Sequence, residues 1–324
     1  MRELSFSLAQ NEAFDEEMAR DERVFIIGED IGEHWGGPMG QFRGLFARYG
    51  PERIRETPIS ETAILGAAIG AAATGMRPIA AMMFVDFLGV AADELLNQLQ
   101  MRYMFGGKIS LSLTILASIG AGVSAAAQHS KSLFGWLMAI KGLKIVVPST
   151  PYDAKGLLKS AIREDNPVIF LSHKRLGGRL TSQIPDEEYT IPLGQADVKR
   201  EGTDVTVVAT ALMVHRALTA ASTLQEEGIS LEVIDPRTLV PLDKELIIES
   251  VKKTGRLVIL SEEPRTGSWA AEVSAIIAEE AFDYLDAPIK RVCAPDTPVP
   301  FSPVLERFWI PDEQNLIQAI REIC

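Results

Sequence analysis

A run of small apolar residues at positions 61–75 constrains the fold of this chain more than any other feature, and it begins at a single acid, Glu61. Apolar residues occupy every face of the corresponding helix, which predicts a helix that is buried on all sides. Its many Ala and Gly residues would let another backbone or a flat ligand approach closely. Glu61 is then either an acid stabilised by the helix dipole or a nearly buried acid that is ready to hydrogen-bond a group entering an interface.

Alternating strands and helices surround this helix. Residues 77–85 follow it as a continuous apolar run suited to a buried parallel strand. Thr150 as N-cap and Pro151 at the first position predict a later helix over residues 150–164. Residues 175–200 are polar and rich in Gly and Pro, which is typical of a linker, and the alternation then restarts. The pattern predicts an α/β fold with two parallel-sheet domains, residues 1–185 and 186–324.

Composition limits the possible partners and locations. The chain has 324 residues, of which 47% are hydrophobic and 23% charged, as in a globular protein with two domains. Its net charge of −12 argues against nucleic acid or an anionic membrane surface as a partner. Two cysteines give neither a disulfide framework nor a metal quartet. With no visible secretory leader and no apolar run of ~20 residues, we expect a soluble cytoplasmic protein.

Ordered motifs along nearly the whole chain point to one family. They lie at residues 11–21, 28–30, 57–61, 83–87, 126–130, 148–157, 233–238 and 311–324. In this order and spacing, the chain resembles the beta subunit of the thiamine-diphosphate-dependent dehydrogenase component of 2-oxo acid dehydrogenase complexes, in the transketolase superfamily. Residues 35–37, 83–87 and 148–157 are most similar to the acetoin dehydrogenases. The resemblance implies a pyrimidine-binding domain followed by a transketolase C-terminal domain.

The resemblance also implies which residues contact the pyrimidine of thiamine diphosphate. Glu61 matches a glutamate that shares a proton with the pyrimidine N1′ and so favours the imino tautomer that deprotonates the thiazolium carbon. Such an acid needs a dry pocket, where a hydrogen bond is strong and the pKa can be raised. Phe87 matches an aromatic ring that lies against the aminopyrimidine, and Ile59 and Met83 match neighbouring walls. By composition alone these three would be core residues.

Three further residues match positions with catalytic or relay roles in the family. His129 matches an active-site histidine near the substrate and the docking lipoyl group, where a group that titrates near pH 6.5 can deliver protons. Glu29 and Asp30 follow a strand end, where ligands collect in open α/β sheets. The resemblance implies that an acid here belongs to a relay between the two active sites of a tetramer. From the residues alone, a structural histidine and a solvated turn are the alternatives.

Metal binding is implied at two places. Backbone carbonyls at a structural potassium site of the family correspond to Leu113, Ala161, Ile162, Glu164 and Asn166. The sequence has no Gly-Asp-Gly followed by Asn, the motif that holds Mg²⁺ and the diphosphate in the family. The oxygen ligands of Mg²⁺ must then come from another chain. We therefore expect a separate alpha subunit, a tetramer of two alpha and two beta chains, and an active site at their interface.

The implied reaction is cleavage of a C–C bond next to a carbonyl, followed by transfer of the acyl group to a lipoyl domain of an acyltransferase core. Acetoin is the first candidate for this small carbonyl substrate, followed by pyruvate and a branched-chain 2-oxo acid. The alternatives are one half of a split transketolase and an assembly subunit without catalytic function. Leu116 and Ser124 stand where relatives carry Arg near the channel to the thiazolium, so the substrate stays open.

Overall fold

A computed structural model of the chain describes residues 1–178 and 180–324. Its strands are β1 Arg2–Ser5, β2 Val24–Gly28, β3 Ile54–Glu56, β4 Arg77–Phe84, β5 Thr114–Ile119, β6 Lys144–Val146, β7 Val168–His173, β8 Thr181–Ile184, β9 Asp197–Arg200, β10 Val205–Ala209, β11 Leu231–Asp235, β12 Thr238–Val240, β13 Leu257–Pro264 and β14 Lys290–Ala294. Its helices are α1 Phe6–Arg20, α2 Leu45–Tyr49, α3 Glu61–Ala73, α4 Ala92–Leu96, α5 Met101–Met104, α6 Phe134–Met138, α7 Pro151–Arg163, α8 Leu212–Glu226, α9 Lys244–Thr254, α10 Trp269–Glu280, α11 Pro303–Trp309 and α12 Glu313–Arg321. Short 3₁₀ turns lie at Val85–Gly89, Gln98–Gln100 and Phe282–Tyr284.

The chain forms two compact units. One contains Met1–Ile119 and Ala139–Leu193, and the other contains Gly120–Met138 and Gly194–Cys324. The segment Gly120–Met138 follows β5 of the first unit in the sequence but belongs to the second unit. The predicted domain boundary between residues 185 and 186 stays a prediction.

The first unit is built on a parallel sheet. Its strands lie in the order β6, β7, β5, β4, β2, β3. β7 is buried at every position and pairs with β5 along its whole length. β1 and β8 form a separate antiparallel ribbon. The predicted linker at residues 175–200 was therefore too long, because the backbone groups of β8 and β9 are paired with strands from elsewhere in the chain.

Helix α3 begins at Glu61, as the sequence predicts, but it is not buried on all sides. Its buried face packs Ile64, Leu65, Ala68, Ile69 and Ala72 into the unit. The opposite face leaves Ala63, Ala67 and Gly70 exposed. The prediction of complete burial was wrong for the chain by itself, because the chain supplies a covering layer on only one side of the helix.

Buried ion pairs join α1 to α7. The ammonium groups of Lys155 and Lys159 are almost fully buried, and each donates to Glu16 at 2.6 Å. Thr150 caps α7 by accepting a hydrogen bond from the backbone N–H of Asp153 at 3.1 Å, as its sequence predicts. Removing Glu16 would be costly, because two buried ammonium groups would each lose a carboxylate partner.

The second unit is a smaller α/β domain. Its sheet has the order β14, β13, β10, β11, β9, in which only the pairing of β11 with β9 is antiparallel. Helices α8 and α12 cover its core, which includes Val207, Leu224, Val258 and Ile317. The two parallel sheets confirm the predicted fold class. Within the part of the chain that the structure describes, no helix is both long enough and apolar enough to span a membrane.

Candidate active site

Two buried acids, Glu29 and Glu61, lie at one edge of the first sheet. Glu29 directly follows β2, and Glu61 begins α3 a few residues after β3. Because β2 and β3 are parallel neighbours, their carboxyl ends meet at the same edge. Glu29 is 6% exposed and Glu61 is 9% exposed, so Glu61 is not an exposed acid at a helix start.

The carboxyl group of Glu29 has a raised pKa and an oxygen without a hydrogen-bond partner. Its Oε2 atom is buried and has no hydrogen-bond partner. Burial raises the pKa of this carboxyl, and the negative charges of Glu61 and Asp30 raise it further. An orphaned buried oxygen of this kind is expected where a ligand or another chain completes the site.

A close approach between β2 and β4 fixes the backbone just before Glu29. A Cβ atom at Gly28 would lie 2.5 Å from the carbonyl oxygen of Ala81, so only glycine lets the two strands pair here. Asp30 then takes a left-handed backbone conformation, and its carbonyl accepts a hydrogen bond from Gly37 N–H at 2.8 Å. The turn keeps Glu29 at the end of the sheet, where it lines a small cavity with Met83.

The apolar residues predicted to line the pyrimidine site lie in different environments. Phe87 is in the turn Val85–Gly89, and its ring meets that of Phe84 edge to face at a centroid distance of 5.9 Å. Thr62 Oγ1 donates to the carbonyl of Val90 at 3.0 Å, which ties this turn to the start of α3. Ile59 is 78% exposed, so it is not the core residue that its composition alone suggests.

His129 lies in the segment Gly120–Met138 of the second unit and is partly buried. Gly120 N–H donates to the carbonyl of Lys131 at 3.0 Å, which closes the segment into a loop around His129. The hydroxyl oxygen of the neighbouring Ser130 is buried without a hydrogen-bond partner. The loop therefore carries a partly buried imidazole next to a buried hydroxyl.

Three buried acids that the sequence analysis missed contact this loop. Glu306 accepts hydrogen bonds from Gly122 N–H at 2.7 Å and from Ser124 N–H at 2.9 Å. Glu262 accepts one from Ala121 N–H, and Glu263 accepts one from Gly135 N–H at 3.1 Å. The adjacent pair of acids at the end of the apolar run of β13 was the available sequence signal, since ligands and polar contacts gather at strand ends.

The two departures from the family pattern are explained in part by these contacts. Ser124 donates to Glu306 from its hydroxyl at 3.3 Å as well as from its backbone, so it belongs to the hydrogen bonding of the loop. Leu116 is buried in β5 and lines the same small cavity as Glu29. An apolar side chain at this point leaves the cavity without the positive charge that an Arg would bring.

The residues of the predicted potassium site meet at the C-terminal end of α7. The carbonyl of Leu113 accepts from Val168 N–H at 2.9 Å, and those of Ile162 and Glu164 accept from Arg77 Nη1 at 3.0 and 3.2 Å. Each carbonyl has a second lone pair that could face a hard cation. However, Arg77 already places a positive charge beside two of them. Among residues 1–178 and 180–324, no cluster of three or more His, Cys, Asp or Glu side chains is suited to a metal ion.

Comparisons with known proteins match both halves of the chain. The transketolase pyrimidine binding domain matches residues 2–179, and the transketolase C-terminal domain matches residues 194–316. The chain is 51% identical to the acetoin:2,6-dichlorophenolindophenol oxidoreductase subunit beta of Cupriavidus necator, over 99% of this chain and 97% of that protein. It is 45% identical to the 2-oxoisovalerate dehydrogenase subunit beta and 42% identical to the pyruvate dehydrogenase E1 component subunit beta, both of Bacillus subtilis, over 100% of this chain and 99% of each protein.

A solved structure supports the fold. A split gene transketolase, described as an inactive beta4 tetramer, matches with a TM-score of 0.82 over 99% of this chain and 98% of that chain. Only 24% of the aligned residues are identical, so this likeness carries the fold and nothing more.

Proposed function

The chain belongs to the transketolase family, in the branch of the beta subunits of thiamine-diphosphate-dependent dehydrogenases, and from that premise we propose that it acts on acetoin together with an alpha subunit. The higher identity to the acetoin-named relative, 51% against 45% and 42% for the two 2-oxo acid relatives, supports this order of substrates. Pyruvate and a branched-chain 2-oxo acid remain the second and third candidates. The split-transketolase alternative is set aside, because the relatives at 42–51% identity are named as beta subunits of dehydrogenases and oxidoreductases.

Glu61 carries the proposal. Thiamine diphosphate, if bound against Glu61, would supply the nucleophilic carbon and the electron sink that cleavage of a C–C bond next to a carbonyl needs. A buried carboxyl at the start of α3 would hydrogen-bond the pyrimidine N1′, and the dry surroundings would strengthen that hydrogen bond. The free Oε2 of Glu29 and its raised pKa support a second role, in which Glu29 stores a proton next to Glu61.

Met83 and Phe87 would form the apolar wall for the pyrimidine ring. Met83 lines the cavity beside Glu29, and Phe87 is tied to the start of α3 through Thr62 and Val90. Ring stacking of this kind contributes about 0.5–1.5 kcal/mol beyond burial. Ile59 would complete the wall once an alpha subunit covers it, since a large exposed apolar side chain beside a buried acid is typical of an interface.

His129 would serve the second half of the reaction. An imidazole at this position can deliver a proton as the acyl group leaves for a lipoyl domain. Asp30 would continue the acidic path that begins at Glu29 and Glu61, as the family's relay does.

The remaining ligands would come from elsewhere in the assembly. We assign Mg²⁺ and the diphosphate to the alpha subunit, because the motif that holds them is absent from this sequence. Potassium at the carbonyls of Leu113, Ala161, Ile162, Glu164 and Asn166 is the weaker part of the proposal, since Arg77 already occupies two of them. A midpoint of thermal unfolding that is equal in K⁺ and Na⁺ would argue against this ion. A cytoplasmic location is supported by the two free cysteines.

Reconstitution with an alpha subunit tests the function. With thiamine diphosphate, Mg²⁺ and an artificial electron acceptor, the complex should convert acetoin with a kcat/KM at least about tenfold above those for pyruvate and a branched-chain 2-oxo acid. A preference for pyruvate would move the proposal to its second substrate. The absence of turnover with all three, in a complex that has bound the cofactor, would contradict the proposed function.

A further inference from the structure

The loop that carries His129 is held in place by carboxylates from the other end of the chain. We name residues 121–135 the His129 loop. Glu306 contacts its beginning, Glu262 contacts its first residue, and Glu263 contacts its last. These three acids are separated from the loop by more than a hundred residues of sequence, and all of them belong to the second unit.

Glu306 makes the most complete contact. Its side chain is 2% exposed, so the carboxylate has little access to water. Oε1 accepts from Gly122 N–H at 2.7 Å, and Oε2 accepts from Ser124 N–H at 2.9 Å and from the Ser124 hydroxyl at 3.3 Å. Backbone N–H groups that converge on a buried carboxylate form charge-assisted hydrogen bonds, which are stronger than neutral ones. The beginning of the loop is thereby fixed through the backbone N–H groups of Gly122 and Ser124.

Glu263 also accepts backbone hydrogen bonds, at the end of the loop. Its carboxyl accepts from Gly135 N–H at 3.1 Å and from Trp269 N–H at 3.1 Å, so it joins the loop to the start of α10. Backbones also approach closely here, since a Cβ atom at Gly135 would overlap the carbonyl oxygen of Gly267. The two anchors therefore lie on either side of His129.

The conformation of the loop needs such anchors. Ser124, Ala126 and Leu133 have left-handed backbone angles, with φ of 56°, 59° and 52°. Residues with a Cβ atom rarely adopt this conformation, and they keep it only where the surrounding contacts fix them. Hydrogen bonds to Glu306 lie directly at Ser124, and those to Glu263 lie two residues after Leu133.

We propose that Glu306 and Glu263 are positioning residues, which hold the His129 loop in the one conformation that aligns His129 for acyl transfer. This inference rests on the proposed function for the role of His129, but the anchoring of the loop can be measured without any activity. The second unit, which contains both His129 and the acids that anchor its loop, would thereby contribute to the reaction.

Hydrogen exchange of the chain tests the anchoring. Glu306→Gln keeps the size of the side chain. Its amide NH₂ group would have to face one of the backbone N–H groups that now donate to the carboxylate. Amide exchange at Gly122 and Ser124 should accelerate about tenfold or more, while exchange in β10 and β11 stays unchanged. Glu272→Gln, an exposed acid on α10, is the matched control and should change nothing. Unchanged exchange in the loop of Glu306→Gln would overturn the proposal.

A double-mutant cycle tests the catalytic consequence in the complex with the alpha subunit. Glu306→Gln should lower the rate of acyl transfer to lipoyl domain about tenfold, because small misplacements of a reacting group are costly. The rate with the artificial electron acceptor should fall by less than about twofold. In a His129→Ala background, Glu306→Gln should have almost no further effect on acyl transfer. Equal losses in both backgrounds would show a general structural role and contradict the positioning of His129.

Ser124→Ala keeps the test decisive if Glu306→Gln does not fold. This change removes only the hydroxyl contact to Glu306, and it should accelerate exchange at the start of the loop by a smaller factor in the same direction. A wild-type complex without acyl transfer would contradict the proposed function. The exchange experiment on the chain would still decide whether the acids anchor the loop.

Discussion

In the proposed function, activation of the cofactor depends on Glu61. Glu61→Gln keeps the shape of the side chain but can no longer take up and return a proton, so turnover of the reconstituted complex should fall at least about a hundredfold. The circular dichroism spectrum and the unfolding midpoint should stay close to wild type. Glu33→Gln, an exposed acid of the same unit, is the control and should keep full activity. Near-normal turnover of Glu61→Gln would reject the assignment.

Glu263 should make the stability of the chain depend on pH. Burial raises the pKa of its carboxyl from 4.5 to about 7, despite the backbone N–H groups that donate to it. Between these values the folded chain binds a proton that the unfolded chain has lost. The stability that this group contributes is therefore fully present below about pH 4.5 and is lost as the pH rises through about 7.

Glu263→Gln should remove this dependence. The free energy of unfolding of the wild type, minus that of the variant, should fall by on the order of 3 kcal/mol from about pH 4.5 to about pH 8. Urea unfolding of both proteins across this range measures the difference, and other titrating groups cancel in the subtraction. A difference that does not change with pH would show that the Glu263 carboxyl is ionised throughout.

Single residues were unequally predictable. Glu61 could be singled out because it opens an unusual helix within a motif of the family, and its burial agrees with a dry pocket. The contact between Glu306 and Gly122 joins residues 184 positions apart, and nothing local at either residue predicts the other. The orphaned oxygen of Glu29 likewise depends on what surrounds the end of β2, which only the folded chain defines.

At the scale of elements, the exposure of one face of α3 can be tested by substitution. Gly70 lies on this face, and a Cβ atom placed there would have no neighbour within 4 Å. Gly70→Ala should therefore raise the free energy of unfolding of the chain alone by about 1 kcal/mol, because alanine favours a helix over glycine. Urea unfolding measures this change, and a loss of stability would mean that the position is not an open helix face.

Gly70→Leu tests whether the exposed face of α3 contacts the alpha subunit. The isolated variant should remain as stable as wild type, since the side chain meets open space. If the alpha subunit packs closely on this face, the bulky side chain should weaken association with it, and light scattering after size exclusion would show mostly separate subunits. Gly70→Ala is the control that should still assemble. Normal assembly of Gly70→Leu would show that this face lies outside the interface.

Elements were predicted well where the pattern is local. The helices α3 and α7 begin at the predicted residues, because a helix-start acid and a Thr-Pro cap are signals carried by neighbours in the sequence. Strands β1 and β8 were missed, since each is short and is stabilised by pairing with the other across the length of a unit. The predicted linker was too long for the same reason. Its residues are polar, and the strands that pair with β8 and β9 are distant in the sequence.

The molecule as a whole contains one half of the proposed site. In the described residues, Glu29 lines one cavity with Met83, and the charge of Glu61 is near enough to raise the pKa of Glu29, but no cluster of side chains is suited to a metal ion. The order of the motifs made the family predictable, since it needs only the sequence. The substrate was not predictable in the same way, because a pocket that a second chain completes takes part of its shape and charge from that chain.

The chain alone should therefore bind thiamine diphosphate weakly and be inactive. Without oxygen ligands for Mg²⁺ it lacks the metal-bridged contacts to the most highly charged part of the cofactor. Exposed apolar residues such as Ile59 should also drive self-association until an alpha subunit covers them. Calorimetric titration of the purified chain with thiamine diphosphate and Mg²⁺ measures the affinity, and the complex with the alpha subunit, titrated in the same buffer, is the control. The complex should bind the cofactor stoichiometrically and gain carbonyl-cleaving activity, whereas tight Mg²⁺-dependent binding by the isolated chain would mean that the diphosphate site lies within this chain after all.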